Sequence, residues 1–325
     1  SSMRPRVIAV MPAYKSAKEI IQVLNEIPDI VSKVIVVDDA CPQQTGNVVI
    51  EKCHDERVKV IFNPENKGVG GAVIQGIKES LNGDWDILVK IDSDGQMKPS
   101  DIPRLIRPLE EGLADYTKGN RFNSLEDLEQ MPALRIFGNA GLSLLSKLST
   151  GYWSVTDPTN GFFAITRPAL EQINLNKISR SWFFESDLLF RLSVIRAKVE
   201  DIPIKAIYGN EISNLKIGRI WPRFLYKHFL NFLKRVFYVY YLREWSSVSI
   251  QLPVGLVLSL FGLVAGSTFW NASSTTGVQA TVGQVMLASV PLILGVQFLL
   301  TTLSMDVANE PSKSLFGFSY RKKSN

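Results

Sequence analysis

Sixty consecutive residues, 246–305, contain no Asp, Glu, Lys, Arg or His. A helical hairpin packed inside a soluble domain keeps charged positions on its outer faces, and none are present here. The stretch resolves into two apolar segments, 248–270 and 282–304, of 23 residues each. At 1.5 Å per residue each reaches roughly 35 Å, enough to cross a hydrocarbon core of about 30 Å. Residues 271–281 between them are polar and lack Lys and Arg. All 36 Lys+Arg and 31 Asp+Glu fall in the other 265 positions, about a quarter of them, the usual density of a soluble domain. The expected organisation is a soluble domain joined to a two-helix transmembrane anchor, which excludes a uniformly soluble protein and a polytopic transporter.

The net charge of +5 suggests nucleic acid until it is located along the chain. Residues 1–217 hold 26 basic and 28 acidic side chains, residues 218–245 hold six and one, and residues 306–325 hold four and two. The surplus flanks the uncharged stretch, which fits an anionic membrane surface and argues against a nucleic-acid partner. Lys234, Arg235 and Arg243 precede the apolar segments, and Arg321, Lys322 and Lys323 follow them. The positive-inside bias then places both flanks, and the main domain, on the cytoplasmic side of the inner membrane. Within residues 219–243, Trp221, Leu225, Phe229, Phe232, Leu233, Val236 and Tyr240 recur at helical spacing, as do Arg219, Arg223 and Lys227. Pro222 suits a first helical turn. Such a helix reads as interfacial, or as a surface helix packed on its own domain, and the two are compatible. The expected divisions are 1–217, 218–245, 246–305 and 306–325. Gly255, Gly262 and Gly266 suit close packing against the second span or another subunit, leaving a homo-oligomer open. Two Cys and two His, Cys41, Cys53, His54 and His228, show no zinc-ligand spacing.

Before residue 205 the pattern alternates. Short β-branched runs at 7–11, 33–37, 58–62 and 87–91 are separated by helical patterns near 17–26, 45–54 and 69–81. Later strands are expected at 162–166 and 199–203, with a helix over 183–196. This predicts βαβ units, a mostly parallel sheet with helices on both faces, and ligands outside the carboxyl ends of the strands. Strand one ends in Pro12-Ala13-Tyr14, strand two in Asp38-Asp39, strand three runs to Asn66-Lys67-Gly68, and strand four ends in Asp92-Ser93-Asp94-Gly95-Gln96. Asp92, Asp94 and Gln96 offer hard oxygen donors suited to Mg²⁺ or Mn²⁺ shared with phosphate oxygens. The glycines at 68–71 are neither a dinucleotide fingerprint, since Val73 stands at its last glycine, nor a P-loop. They read as a tight approach of backbone to ligand at the opening of a helix.

Taken together, these residues resemble the family 2 inverting glycosyltransferases, in the branch of dolichol-phosphate mannose synthases and bacterial polyprenyl-phosphate glycosyltransferases. The shared features are Pro12-Ala13-Tyr14, Val36-Val37-Asp38-Asp39, Asn66-Lys67-Gly68-x-Gly70-Gly71-Ala72 and Asp92-x-Asp94-x-Gln96. Gly119-Asn120-Arg121, Arg135-x-x-x-Asn139, Asp157-Pro158-x-Asn160-Gly161-Phe162 and Phe183-Phe184-Glu185-x-Asp187 extend the likeness over about residues 5–216. Two spans after the catalytic domain are similar to the polyprenyl-phosphate glucosyltransferases of bacterial O-antigen modification.

The resemblance implies a GT-A type α/β catalytic domain that transfers one sugar, with inversion, to polyprenyl (undecaprenyl) phosphate. It implies that Pro12, Ala13, Tyr14, Asp39, Lys67, Gly68 and Asp92 bind the nucleotide, and that Asp92, Asp94 and Gln96 hold the metal. Arg121 and Arg135 match arginines near the acceptor phosphate, and Asp157 an acidic residue facing sugar and acceptor, so Asp94, Asp157, Arg121 and Arg135 form the expected catalytic set. UDP-glucose is the expected donor and GDP-mannose the alternative. A phosphate nucleophile is already anionic near pH 7, so Asp157 is expected to orient the reactants and not to serve as a strong base. Residues 208–216 match the mannose synthases' phosphate loop only at Ser213 and Lys216. The Gln-x-x-Arg-Trp of processive enzymes is absent, which favours single transfer. The competing readings are a non-enzymatic membrane nucleotide-sugar-binding protein and a metal-dependent nucleotidyltransferase.

Overall fold

The computed structural model describes residues 4–122, 133–205 and 217–316, with side chains of 133–135 and 217–221 left aside. The described residues form two compact units, one running to Phe232 and including 311–316, the other Leu233–Glu310.

The first unit is built on a seven-stranded sheet, β1 (Val7–Ala13), β2 (Val31–Asp38), β3 (Val58–Phe62), β4 (Ile87–Lys90), β5 (Tyr116–Asn120), β6 (Phe163–Thr166) and β7 (Val199–Pro203). The spatial order is β3-β2-β1-β4-β6-β5-β7. β1–β2, β1–β4, β2–β3 and β5–β7 pair parallel, and only β6 runs antiparallel to its neighbours β4 and β5. The sheet is thus mostly parallel, as expected.

β1 is buried at every position, the mark of a strand covered on both faces. Its side chains alternate between two cores. Ile8 and Val10 join Ile35, Val37, Val73, Ile77, Phe184 and Leu188 on one face. Val7, Ala9, Met11 and Ala13 join Ile20, Leu24, Leu105, Ile106 and Leu109 on the other. Helices α1 (Ile20–Asn25), α2 (Thr45–Lys52), α3 (Gly68–Ser80), α4 (Ile102–Glu110), α6 (Arg167–Glu171) and α7 (Phe184–Val194) contribute to these two cores, and α5 (Ala133–Thr150) lies between β5 and β6 in the chain. β5, α4, α5 and the short α6 were not expected from the sequence. β5 reads Tyr-Thr-Lys-Gly-Asn and carries a fully buried lysine, so its apolar pattern is broken.

Residues after the second apolar helix also belong to this unit. The buried Asp115 carboxylate accepts from Ser314 Oγ at 2.6 Å, Leu315 N at 3.0 Å, Phe316 N at 3.1 Å and Lys198 N at 2.8 Å. Phe316 packs against the core that holds Ile8 and Val10.

α8 (Ile217–Phe237) continues into a π-helical turn, Tyr238–Arg243. One side of α8 faces the first unit's core: His228 Nδ1 meets Ser149 Oγ at 2.7 Å, and Asn231 Nδ2 donates to Asp187 at 3.1 Å. Burial lowers the His228 pKa to about 4. Leu225, Phe229, Leu233 and Phe237, spaced by four, are exposed. The packed face and the exposed apolar stripe coexist, as the sequence allowed.

The second unit centres on α9 (Ser247–Thr276) and α10 (Val282–Ala308), both long and apolar enough to cross a membrane. Only 22% and 17% of their most apolar windows are buried, so neither is the core helix of a soluble domain. Gly277, at φ 70, ends α9 in the left-handed conformation. Thr281 and Gln284 form a reciprocal capping box at the start of α10, at 2.9 and 3.2 Å. Gly255 and Gly262 lie against α10 itself: a Cβ on Gly262 would stand 2.7 Å from Leu292 Cβ. The small residues of the first span therefore serve its own hairpin.

Arg235 is buried and donates two nitrogens to Asp306, at 2.8 and 2.9 Å, while the Tyr240 hydroxyl donates to the same carboxylate. Burial first, then the Asp306 charge, pushes the Tyr240 pKa up to about 12. Arg235 is thus neutralised within the protein, and the basic collar inferred from composition loses one of its charges to this pair.

Candidate active site

The register places the strand ends level with one another. Ala13 pairs with Asp38, and Val10 pairs with Lys90, two residues before Asp92. Lys90 and Lys118 both pair with Phe163 of β6. The turns following β1, β2, β4 and β5 therefore share one rim, the edge where parallel α/β sheets present ligand-binding groups.

Two serines fasten β1 to β4. Ser93 Oγ donates to the Pro12 carbonyl at 3.0 Å, so the 2.6 Å contact between Ser16 and Ser93 has Ser16 as donor. Pro12 and Ala13 are buried, and Ala13 belongs to the sheet core. Their side chains are covered by the protein, and Tyr14, 44% exposed, is the member of this trio at the surface.

Asp38 and Asp39 divide their work. Asp38 accepts from Cys41 N at 2.8 Å and Gly46 N at 2.6 Å, shaping the entry to α2. Asp39, also buried, accepts from Asn63 Nδ2 at 2.7 Å and Lys67 N at 3.0 Å. It anchors the segment carrying Lys67 and Gly68 to the rim. Gly68 has φ +77, a conformation that favours glycine. The close approach expected at 68–71 is made, but to the chain itself. A Cβ on Gly70 would stand 2.8 Å from Ser179 O and 2.9 Å from Phe184 Cβ, and Gly71 N donates to Arg180 O at 3.2 Å. These glycines seat α3 against residues 179–184.

The turn after β4 carries Asp92, Asp94 and Gln96. Asp94 and Gln96 are exposed, and Gln96 N donates to Asp94 Oδ1 at 3.0 Å. Asp92 is partly exposed and pairs with Lys90 Nζ at 2.6 Å. Hard oxygen donors on one surface turn suit a divalent cation. Among the described residues no group of three or more His, Cys, Asp or Glu is placed to hold a metal unaided. This donor set fits an ion that completes its shell with phosphate oxygens and water.

Asp157 is fully buried, and Arg121 meets it with Nε at 2.8 Å and Nη2 at 3.1 Å. Asp157, expected to face sugar and acceptor, holds a partly exposed arginine at the rim in this structure. Arg135 lies in the first turn of α5, with its side chain outside the described residues, as are residues 208–216. Asp187 accepts from Ser179 N at 2.8 Å and binds Asn231, a structural role.

Three charged residues of the site escaped the sequence reading as site residues. Lys90 and Lys118 are fully buried, and Glu185 stands in the first turn of α7. Burial disfavours the Lys90 ammonium, but Asp92 and then Glu185 outweigh it and hold its pKa above the ordinary value. Burial lowers Lys118 to about 8, against the pull of Glu185 and Asp157, and its Nζ donates to the Asn160 carbonyl. Burial raises Glu185, opposed by the two lysines. The available signal was a lysine at the end of the apolar run Ile87-Leu88-Val89, since lysine is rarely buried without a partner.

A profile of the family described as glycosyl transferase family 2 matches residues 8–173, just over half of the chain. The chain is 30% identical over 216 residues to a UDP-N-acetylglucosamine–dolichyl-phosphate N-acetylglucosaminyltransferase of Methanococcus voltae, covering 62% of this chain and 86% of that one. It is 30% identical over 203 residues to an undecaprenyl-phosphate mannosyltransferase of Micrococcus luteus, covering 61% and 82%. Among solved structures, glucosyl-3-phosphoglycerate synthase from Mycobacterium tuberculosis, in complex with Mn²⁺, UDP and phosphoglyceric acid, shares the fold at a TM-score of 0.52 and 20% identity, covering 71% of this chain and 78% of that one.

Proposed function

The chain belongs to glycosyl transferase family 2 and is a glycosyltransferase, and from that premise we propose that it moves one sugar, with inversion, from a nucleotide sugar to polyprenyl phosphate at the cytoplasmic face of a membrane. The observation that carries the reading is the joining, in one chain, of a carboxylate turn and a rim arginine with two span-length apolar helices. An anchor keeps such an enzyme at the surface where a lipid-linked acceptor phosphate lies. The relatives' names support a polyprenyl or dolichyl phosphate acceptor.

In this reading Asp92, Asp94 and Gln96 would hold Mg²⁺ or Mn²⁺, which would offset charge developing on the leaving nucleotide diphosphate. Tyr14 and the Lys67–Gly68 segment, fixed by Asp39, border the nucleoside. Arg121, oriented by Asp157, meets the acceptor phosphate. That phosphate is already anionic near pH 7 and can attack the anomeric carbon without a strong base. Asp157 therefore needs only to keep Arg121 in place. The exposed Leu225, Phe229, Leu233 and Phe237 stripe suits α8 to the headgroup layer. UDP-glucose is the favoured donor; GDP-mannose is the second reading, favoured by the mannosyl relative.

The test is incubation of the purified protein with labelled UDP-glucose, GDP-mannose or UDP-N-acetylglucosamine and undecaprenyl phosphate, with and without EDTA. EDTA-sensitive label in the organic phase from one donor supports the reading. Absence of lipid-linked label from all three overturns it.

A further inference from the structure

Lys90 ends the apolar strand β4 with its side chain 1% exposed, and its Nζ lies 2.6 Å from Asp92 Oδ1. Gly161 marks how crowded this point is. A Cβ built there would fall on Lys90 Nζ, 3.2 Å from Glu185 Oε1 and 3.6 Å from Asp92 Oδ2. One ammonium and two carboxylates thus converge under the 160–161 backbone, which a side chain at 161 would disrupt. A second buried ammonium, Lys118, stands across β6 at the same register level and binds the Asn160 carbonyl.

Stability does not account for Lys90. Replacing a buried ion pair by an apolar side chain of similar volume is commonly neutral or stabilising, because desolvation offsets the attraction. An apolar set in place of Lys90, Asp92 and Glu185 together would avoid that cost, whereas methionine at 90 alone would leave the carboxylates without their cation. What the lysine adds is specific to Asp92: it fixes one carboxylate oxygen and neutralises one of two neighbouring negative charges.

We propose that Lys90 is a positioning residue for Asp92, holding its carboxylate by one oxygen and lowering the rim's negative charge, so that a divalent cation is retained only together with a nucleotide diphosphate. This rests on the assignment of Asp92 and Asp94 to the metal. A unit charge removed about 5 Å from a bound cation is worth a few kcal/mol even at an effective dielectric near 20. Relaxation and water reduce this, and about a tenfold change in free-metal affinity is the expected effect.

The experiment titrates Mn²⁺ alone, then Mn²⁺ with UDP, into the full-length detergent-solubilised protein, reading free Mn²⁺ by electron paramagnetic resonance. Wild type is expected to bind Mn²⁺ weakly alone and strongly with UDP. Lys90→Met is expected to bind Mn²⁺ alone about tenfold more tightly, narrowing the gap between the two conditions, and Lys90→Arg to restore the wild-type gap. Gly161→Ala keeps the lysine but displaces its nitrogen, and gives the same narrowing should Lys90→Met fail to fold. Unchanged nucleotide-free affinity in the folded variants overturns the proposal, whatever happens to turnover. Wild-type protein that binds no Mn²⁺ even with UDP overturns the metal assignment beneath it, a result recognisable before any variant is made.

Discussion

Arg121 holds Asp157 by two guanidinium nitrogens, at 2.8 and 3.1 Å, and its own backbone N–H adds a third bond at 3.2 Å. The aspartate is fully buried while the arginine side chain stays 37% exposed, so the arginine is the member that can meet a ligand. Asp157→Ala should destabilise the protein by about 3 kcal/mol, the usual cost of removing one partner from a buried pair. Arg121→Met/Asp157→Leu should recover most of that stability and none of the activity. Thermal unfolding in detergent and a turnover assay check the two halves. Recovered turnover in the double variant would show that the pair only supports the fold.

Asp201 on β7 gives a pH signature. Burial raises its pKa from the ordinary 3.8 to about 6, although Thr156 N donates to Oδ2 at 2.8 Å. Its other oxygen has no hydrogen-bond partner among the described residues. A carboxyl raised in the folded state favours folding below its unfolded pKa, and that contribution is lost as pH rises through about 6. Two units correspond to about 2–3 kcal/mol. Asp201→Asn should therefore gain stability over wild type progressively between pH 4 and pH 7. A stability difference that stays constant across this range contradicts the assignment.

Gly70 and Gly141 make an internal comparison. A Cβ at Gly70 meets Ser179 O at 2.8 Å and Phe184 Cβ at 2.9 Å, whereas one at Gly141 meets nothing within 4 Å. Gly70→Ala should cost about 1–3 kcal/mol by overpacking. Gly141→Ala, inside helix α5, should be neutral or gain up to about 1 kcal/mol. Unfolding midpoints of the two variants decide this, and equal effects would rule out the contact with 179–184 as the reason for glycine at 70.

The Asp115 carboxylate gathers Ser314, Leu315, Phe316 and Lys198. Asp115→Ala leaves several buried donors unsatisfied, at about 1–3 kcal/mol for each one that water cannot reach. It should lower the unfolding midpoint and expose residues 311–316 to protease. An unchanged cleavage pattern would mean this segment is held by Phe316 alone.

What was legible in the sequence follows the periodicities. β1, β2 and β4 stand out as largely apolar, buried runs and the edge strand β3 as a short β-branched run between helical patterns, and α9 and α10 were visible because residues 246–305 carry no charge. The rim was legible for the same reason, since polar residues stand where each apolar run stops. β5 was not, because Lys118 and Gly119 occupy buried positions in it. Lys90, hidden at the end of β4, was passed over because a lysine normally signals a surface. The partnership of Arg235 with Asp306 joins residues 71 positions apart, and no local pattern announces it. Spacing likewise identified Asp157 and the glycines at 68–71 as notable, but only the folded chain brings the first to Arg121 and the second to the 179–184 segment.

The central claim, single inverting transfer to a lipid phosphate, is tested most directly by the product itself. Purified protein should convert its nucleotide sugar and undecaprenyl phosphate, in Mg²⁺ or Mn²⁺, to a lipid whose mass has risen by one sugar. The sugar–phosphate linkage should be opposite in anomeric configuration to the donor by NMR, with one nucleotide diphosphate released per lipid. Asp94→Asn should form this product at least about a hundredfold more slowly. A product with retained configuration, with more than one sugar per lipid, or consisting of free sugar and nucleotide diphosphate without lipid, would contradict the account.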